Sequence, residues 1–217
     1  MHDSLRLLHL LHLADSALPV GAAAHSFGME MLVANGSLDV DNLPEFLRSC
    51  IEETCALDAW FVRAGHRCGV RGVTEREWAL LNAELGAYRT ARETRRAGLT
   101  MGRRLLLLLS NLTGMPVPLG ESQYCIAFGY AAGVLGLHDV DAALAYAQQF
   151  VTGMLSCAQR LLPFGQQAAQ ALAWQLKPVI ASAVDAGSLD APPSCSTPML
   201  DIGSMQHARM DVRLFIS

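Results

Sequence analysis

Two histidines near the start of the chain have the spacing of a metal-binding pair. His9 and His12 are three residues apart, so on a helix both imidazoles lie on one face and reach a single zinc or nickel ion. A metal site needs further ligands, and none lies nearby in the sequence. The competing interpretation places both histidines at the partly exposed edge of an apolar helix. We therefore predict no bound metal and no cofactor.

Cysteines are the other side chains with possible chemistry, at positions 50, 55, 68, 125, 157 and 195. No two have a CxxC spacing, and the chain is too long for a small disulfide-stapled fold. Cys50 belongs to an apolar helical stripe, so we interpret the set as reduced, mostly buried thiols of a cytoplasmic protein. An enzyme is the rival interpretation, and it requires a cysteine or carboxylate to meet His25, His66 or His207 in a pocket.

Arginines form a basic band on a chain whose formal net charge is −4. The band consists of Arg89, Arg92, Arg95, Arg96, Arg103 and Arg104. Because guanidinium groups bind carboxylates and phosphates bidentately, the band is either a docking surface for an acidic partner or an ordinary solvated face. No aromatic residues interleave it, which argues against nucleic acid. A GxxxxGK[ST] phosphate loop is absent too, since Lys177 is the only lysine.

The elements that must position these residues are helices. Apolar residues make up 52% of the chain and aromatic ones only 6%, alanine and leucine dominate, and no period-2 strand is evident. A Thr74 to Glu77 capping box marks one helix start, and Pro178 disturbs a later helix. The predicted helices cover 4–14, 27–34, 43–51, 74–88, 93–113, 125–137, 139–162, 166–184 and 199–207, with a loop over 185–198.

The stretch from Ser122 to Val184 is nearly free of charge, so the rest of the protein must cover it. Within it, residues 125–137 are too few and too rich in glycine to span a membrane. We predict a buried helix there, in which Gly129 and Gly133 share a face that a neighbouring backbone can approach closely. The chain is therefore predicted to be an all-α, single-domain helical bundle over 1–217, with a buried central layer of apolar helices.

Four groups of residues occur in the order found in one known family. They are Ala17-Leu18-Pro19-Val20-Gly21 with Ser26, Gly28 and Glu30; Leu81-Asn82 with Arg92-Glu93-Thr94-Arg95 and Gly102; Ala127-Phe128-Gly129 with Arg160-Leu161-Leu162-Pro163-Phe164-Gly165-Gln166 and Gln170; and Thr197-Pro198-Met199-Leu200-Asp201-Ile202 with Ser204, Met205, His207 and the closing Arg213-Leu214-Phe215-Ile216-Ser217. Over nearly its whole length the chain resembles the urease accessory protein F (UreF) family. It departs from that family at Gln123-Tyr124-Cys125, in place of His-Tyr-Pro, and at His207-Ala208-Arg209-Met210, in place of His-Glu-Thr-Gln.

The resemblance implies an all-helical homodimer without catalysis of its own. Members of the family bind a second accessory protein, called D or H, and together they recruit and regulate the nickel-carrying GTPase UreG at apo-urease. We expect a cytoplasmic protein with these partners, and no binding to nucleic acid or membranes. The alternative is a helical enzyme or an interaction module with a His/Cys site, unrelated to urease.

The family's C-terminal segment orders when the D/H protein binds, and we expect a mobile N-terminal segment and a mobile tail over 208–217. Arg213, Leu214 and Phe215 are thus predicted to contact that partner, although the tail packing on its own core is the alternative. The other candidate docking residues are Glu30, Arg92, Arg95 and His207. Structural roles are predicted for Pro19, Gly21, Gly28, Pro163, Gly165 and Gln166.

Overall fold

The computed structural model describes residues 3–186, 190–207, 209–210 and 212–216, and every regular element within these ranges is helical. The predicted all-α class is confirmed. In chain order the helices are α1 (Asp3–Leu13), α2 (Met29–Ala34), α3 (Leu43–Cys50), α4 (Ala56–Arg71), α5 (Glu75–Tyr88), α6 (Arg92–Thr113), α7 (Tyr124–Val134), α8 (Asp139–Leu161), α9 (Gln166–Gln175), α10 (Lys177–Ala186) and α11 (Pro198–His207). A 3-10 turn (Ala22–Ala24) precedes α2, and a π-helical turn (Ile51–Cys55) joins α3 to α4.

Helices α4 and α7 lie together at the centre of the molecule. All residues of α7 from Tyr124 to Gly133 are buried. Gly129 of α7 packs directly on the backbone carbonyl of Val62 in α4, and Gly133 packs in the same way on the carbonyl of His66. A Cβ atom at either glycine would overlap those carbonyl oxygens. The predicted close approach is therefore confirmed, and the neighbour is α4.

Helix α4 is absent from the helices predicted by sequence. Its buried residues include an aspartate, a glycine and three alanines as well as large apolar side chains; they are Ala56, Leu57, Asp58, Ala59, Phe61, Val62, Ala64, Gly65 and Cys68. The aspartate, the glycine and the alanines weaken the apolar contrast between the buried and the exposed face, and a sequence-based prediction depends on that contrast.

The other predicted helices are confirmed to within a few residues. The Thr74 hydroxyl accepts a hydrogen bond from the Glu77 N–H at 3.2 Å, and the Glu77 carboxylate accepts one from the Thr74 N–H at 3.0 Å, which completes the capping box. The predicted helix 166–184 is divided at Leu176 into α9 and α10. Pro178 is the second residue of α10, where its missing N–H leaves no backbone bond unmade.

The remaining helices pack around the α4–α7 pair and keep one side towards solvent. One continuous hydrophobic core includes residues of all the long helices, from Leu13 in α1 to Val184 in α10. The uncharged stretch is buried most completely in α7, whereas Trp174 of α9 is 71% exposed. Within the described residues, no helix is both long and apolar enough to cross a membrane.

Candidate partner-binding surface

The two ends of the chain fold against each other, and Gly28 permits the contact. Gly28 has φ +92°, and a Cβ atom there would lie 2.7 Å from the Leu200 carbonyl oxygen and 2.7 Å from the Ser204 nitrogen. Only glycine fits both this backbone conformation and this space. The Thr94 hydroxyl donates to the Ser204 hydroxyl at 3.2 Å, so α11 is held between α2 and α6.

Helix α11 is packed with its apolar side outward. Its buried residues are Gly203, Ser204 and His207, which are small or polar. Its exposed large apolar residues are Met199 (50%), Ile202 (53%) and Met205 (45%), which the three-residue spacing places on one face. Helix α11 therefore presents methionine and isoleucine to solvent on one face, as far as the described residues show.

The tail that follows α11 also exposes apolar side chains to solvent. Leu214 is 54% exposed and Ile216 is 70% exposed, whereas Phe215 between them is buried. Within this bent segment Phe215 thus faces the body, and its two neighbours face solvent. We call the exposed apolar residues of α11 and the tail the C-terminal surface. They are Met199, Ile202, Met205, Val212, Leu214 and Ile216.

Glu30 joins α11 and the tail to α2. Its carboxylate lies 2.7 Å from Nε2 of His207 and accepts hydrogen bonds from the backbone N–H groups of Leu214 (2.6 Å) and Phe215 (3.2 Å). Burial alone would raise the pKa of Glu30, but the Leu214 N–H, the His207 ring and the Phe215 N–H more than offset it, so the pKa is lowered. Two predicted docking residues, Glu30 and His207, thus contact each other and the tail.

Of the three tail residues predicted to meet a partner, the structure presents two to solvent. Arg213 and Leu214 are exposed, whereas Phe215 is 4% exposed and lies under the Arg160 guanidinium, 4.2 Å from the ring centroid. The packing of Phe215 on the core matches the alternative left open by the sequence.

The basic band is divided by the fold. Arg92, Arg95, Arg96, Arg103 and Arg104 are exposed on α6, next to α11. Arg104 also packs over Gly21, whose φ of +90° allows the chain to turn there, and its Nη1 donates to the Val20 carbonyl at 3.5 Å.

Arg89 is a correction to the predicted band, because it is not on a solvated face. It follows α5 and donates a hydrogen bond to the buried carboxylate of Asp58 in α4. The Tyr146 hydroxyl of α8 donates to the second oxygen of that carboxylate at 2.9 Å. Neither Asp58 nor Tyr146 was identified from sequence, although a carboxylate within the apolar run 56–62 signals that a buried cation must be near.

Cys157 and His66 hydrogen-bond to main-chain carbonyls, and neither contact forms a pair of nucleophile and base. Cys157 donates through Sγ to the His25 carbonyl oxygen at 3.3 Å, and Nε2 of His66 lies 2.8 Å from the Leu137 carbonyl oxygen. Burial raises the pKa of the Cys157 thiol to about 11 and that of the Cys50 thiol to about 12. Such thiols stay protonated near neutral pH, the opposite of what a nucleophile requires.

Metal ligation is likewise unsupported by the described side chains. Among them, no three histidine, cysteine, aspartate or glutamate residues are grouped closely enough to hold a metal ion. On α1, His9 is half-buried and His12 is exposed, so both lie at the partly exposed edge of an apolar helix.

The residues with predicted structural roles lie in the connections between helices. Pro19 is exposed in the loop after α1, and Pro163 is exposed between α8 and α9. Gly165 precedes α9 with φ −72°, a conformation open to any residue, so its glycine character is not required by backbone geometry. Gln166 begins α9 and accepts a hydrogen bond from Gln159 at 2.7 Å.

The two departures from the family pattern fall in different surroundings. Gln123 is buried at the start of α7, and its N–H donates to Oδ1 of Asn82 at 2.7 Å. This contact joins the Leu81-Asn82 motif to the start of α7. At the second departure Ala208 lies outside the described residues, while the Met210 N–H donates to the His207 carbonyl at 3.2 Å.

Fold and surface together define an all-helical protein whose buried ionisable groups hold its helices together and whose C-terminal end exposes an apolar face. The family model UreF matches residues 38–177. Over 97% of this chain, the urease accessory protein UreF of Nostoc sp. (strain PCC 7120) is 35% identical, with 95% of that protein covered. The proteins of the same name from Chromohalobacter salexigens and Corynebacterium glutamicum are 32% and 31% identical, over 100% and 96% of this chain and 96% of each relative. The chain belongs to the UreF family of urease accessory proteins.

Proposed function

We propose that this chain is a cytoplasmic, non-enzymatic adaptor in urease maturation. It binds the D/H accessory protein, and the resulting complex recruits the nickel-carrying GTPase UreG to apo-urease and regulates it. Membership of the UreF family and the names of the full-length relatives support the role in urease maturation. Nickel in this proposal is cargo for urease and not a resident cofactor of this chain.

The observation that carries the adaptor role is the outward-facing apolar side of α11. Met199, Ile202 and Met205 are each about half exposed on one helical face, next to a tail that exposes Leu214. Methionine and other apolar side chains at the centre of a patch, with arginines near its edge, are typical of protein–protein interfaces. We therefore assign the C-terminal surface to the D/H accessory protein, with Arg213 and Leu214 among its contacts.

The exposed arginines of α6 are the proposed contact for an acidic partner surface. Arg92 and Arg95 belong to an exposed group of basic side chains on a protein of net charge −4, so they provide charge complementarity to an acidic surface. Glu30 and His207 are then indirect contributors, because both are buried and act by holding the tail and α11. A homodimer remains part of the proposal.

The direct test is complex formation measured by size exclusion with light scattering. The full-length chain is run alone, with the D/H protein, and with the D/H protein and UreG. Arg92→Glu and Arg95→Glu are compared with Arg76→Glu, a matched reversal at an exposed arginine of α5. We expect the ternary complex with the unmodified chain and with Arg76→Glu, and a weaker, more salt-sensitive complex with the two α6 reversals. If the unmodified chain forms no complex, the adaptor role is wrong.

A further inference from the structure

A groove separates α3 and the π-helical turn from the residues that lead into α11. Its volume is about 360 Å³. One wall carries Asn42, Glu45, Ser49 and Glu53, and the other wall is the segment 196–200. Because the residues of the first wall are three or four positions apart, they share one side of the helix, which extends for about 16 Å between the first and the last of them. The groove thus has the length of about five extended residues.

The floor of the groove is apolar. Leu38, Phe46, Cys50 and Leu200 line it. Leu38 and Cys50 are buried, whereas Phe46 and Leu200 are partly exposed to solvent. An apolar floor between polar walls is the usual anatomy of a surface that holds a peptide segment, because the floor supplies affinity and the walls supply specificity.

The negative charge of the chain is concentrated along this groove. Residues 39–53 contain five acidic side chains and one basic side chain, Arg48, so their net charge of −4 equals that of the whole chain. Glu45 is exposed and Glu53 is half-buried. Arg48 lies 3.8 Å from Glu45 in an exposed pair, which solvent screens strongly. The groove therefore favours a partner with basic side chains.

Hydrogen bonds fix both ends of the groove. The Ser196 N–H donates to the Glu53 carboxylate at 2.7 Å, which holds the segment before α11 against the helix. At the other end, the Asp39 N–H donates to Oδ1 of Asn42 at 3.0 Å, and Nδ2 of Asn42 donates to the Ser37 carbonyl oxygen at 3.1 Å. A carboxylate has two oxygens, so Glu53 can also accept a hydrogen bond from a partner. A groove held in shape in this way loses little conformational freedom when a segment binds.

We propose that this groove binds an extended peptide segment with the pattern basic–x–apolar–x–basic. Glu45 and Glu53 are eight residues apart, about 12 Å along the helix axis, and an extended chain covers about 13 Å in four residues. The first, third and fifth side chains of such a segment point to the same side. The two basic side chains then meet the two carboxylates, and the apolar one lies on Phe46 and Cys50 between them. This binding requires neither the D/H protein nor UreG, so it goes beyond the proposed function.

Fluorescence anisotropy with the full-length chain and a synthetic peptide tests the groove. The probe is fluorescein-labelled Gly-Arg-Ser-Leu-Ser-Arg-Gly, and the control peptide Gly-Arg-Arg-Ser-Leu-Ser-Gly has the same composition with its arginines adjacent. We expect the probe to bind saturably, at least about tenfold more tightly than the control peptide, and more weakly as the salt concentration rises. Equal binding of the two peptides shows general attraction to an acidic surface and overturns the proposal, as does the absence of binding.

Variants of the full-length chain locate the bound peptide. Glu45→Gln combined with Glu53→Gln removes both charges and keeps an amide oxygen for the Ser196 N–H, and the preference for the probe should be lost. Ser49→Trp fills the groove from an exposed position and should abolish probe binding. Glu84→Gln, at an exposed position of α5, is the matched control and should bind the probe as the unmodified chain does.

Denaturant unfolding shows whether each variant is folded. Undiminished probe binding by the folded double variant, or by folded Ser49→Trp, would contradict the groove as the binding site. Failure of the complex with the D/H protein, by contrast, contradicts only the proposed function, because the peptide measurement contains no other protein.

Discussion

Arg89 and Asp58 form a buried ion pair that joins the end of α5 to the beginning of α4. The Asp58 side chain is 3% exposed and the Arg89 side chain 15% exposed. The Tyr146 hydroxyl donates a hydrogen bond to the second oxygen of the Asp58 carboxylate. This one carboxylate therefore connects α4, α8 and the residue after α5. Because α4 is also the helix against which α7 packs, this network holds the centre of the fold together.

Removing the Asp58 carboxylate is expected to destabilise the protein strongly. Asp58→Ala leaves the Arg89 charge buried without its partner, which costs about 3–5 kcal/mol. Arg71→Ala is the control: it breaks the exposed Arg71–Glu77 pair, and pairs of that kind contribute about 0–1 kcal/mol. Denaturant unfolding monitored by circular dichroism measures both. Losses of similar size in the two variants would contradict a structural role for the buried network.

A methyl group at Gly129 is expected to force α4 and α7 apart. Its Cβ would overlap the Val62 carbonyl oxygen, which belongs to a buried backbone and cannot rotate away. Gly129→Ala should therefore lower the free energy of unfolding by about 1–3 kcal/mol or more. Gly153→Ala in α8 has no heavy atom within 4 Å of the new Cβ, and it should be neutral or stabilise by up to about 1 kcal/mol. Thermal and denaturant unfolding measure the stability of both variants. Equal stabilities would contradict the close packing of α4 on α7.

The hydrogen bonds to Glu30 make one contribution to stability dependent on pH. The folded-state pKa of Glu30 lies below the ordinary value of 4.5, so its contribution is complete above 4.5 and is lost as pH falls through the lowered folded-state pKa. Glu30→Gln should cost about 1–3 kcal/mol near neutral pH and progressively less in acid. A difference that does not change with pH would contradict the bonding described here.

The C-terminal surface is expected to bind a partner without contributing to stability. Ile202→Asp places a charge on the outward face of α11, where the side chain is 53% exposed, and should weaken binding of the D/H protein at least about tenfold. The unfolding free energy should change by no more than about 0.5 kcal/mol. Leu80→Asp, at a 61% exposed position on α5, is the matched control for binding. If both variants bind the D/H protein equally well, the contact lies elsewhere.

Local sequence patterns were sufficient to predict the helices that keep one face to solvent. The α5 capping box and the end of α6 at Gly114 depend on residues within one turn of each other. Helix α4 was missed because its buried face contains an aspartate, a glycine and several alanines, which weaken the apolar contrast between its two faces. The glycines of α7 predicted that a neighbour must exist without identifying α4.

The candidate site could be predicted in part. A carboxylate at position 30 in an apolar helix implied a partner, yet the partner is His207, 177 residues further along the chain, and no spacing rule connects them. Arg89 was grouped with exposed arginines because sequence alone does not distinguish a solvated face from a buried ion pair. The outward apolar face of α11 depends on which side of that helix meets Gly28, and only the tertiary structure determines that side.

Reconstituted activation of apo-urease tests the central claim most directly. Apo-urease is incubated with nickel, GTP, UreG and the D/H protein, with or without the full-length chain, and urease activity is followed over time. The proposed adaptor role predicts that activation requires this chain, that Leu80→Asp supports it and that Ile202→Asp reduces it in proportion to the lost binding. Activation of the same rate and extent without the chain would contradict the account.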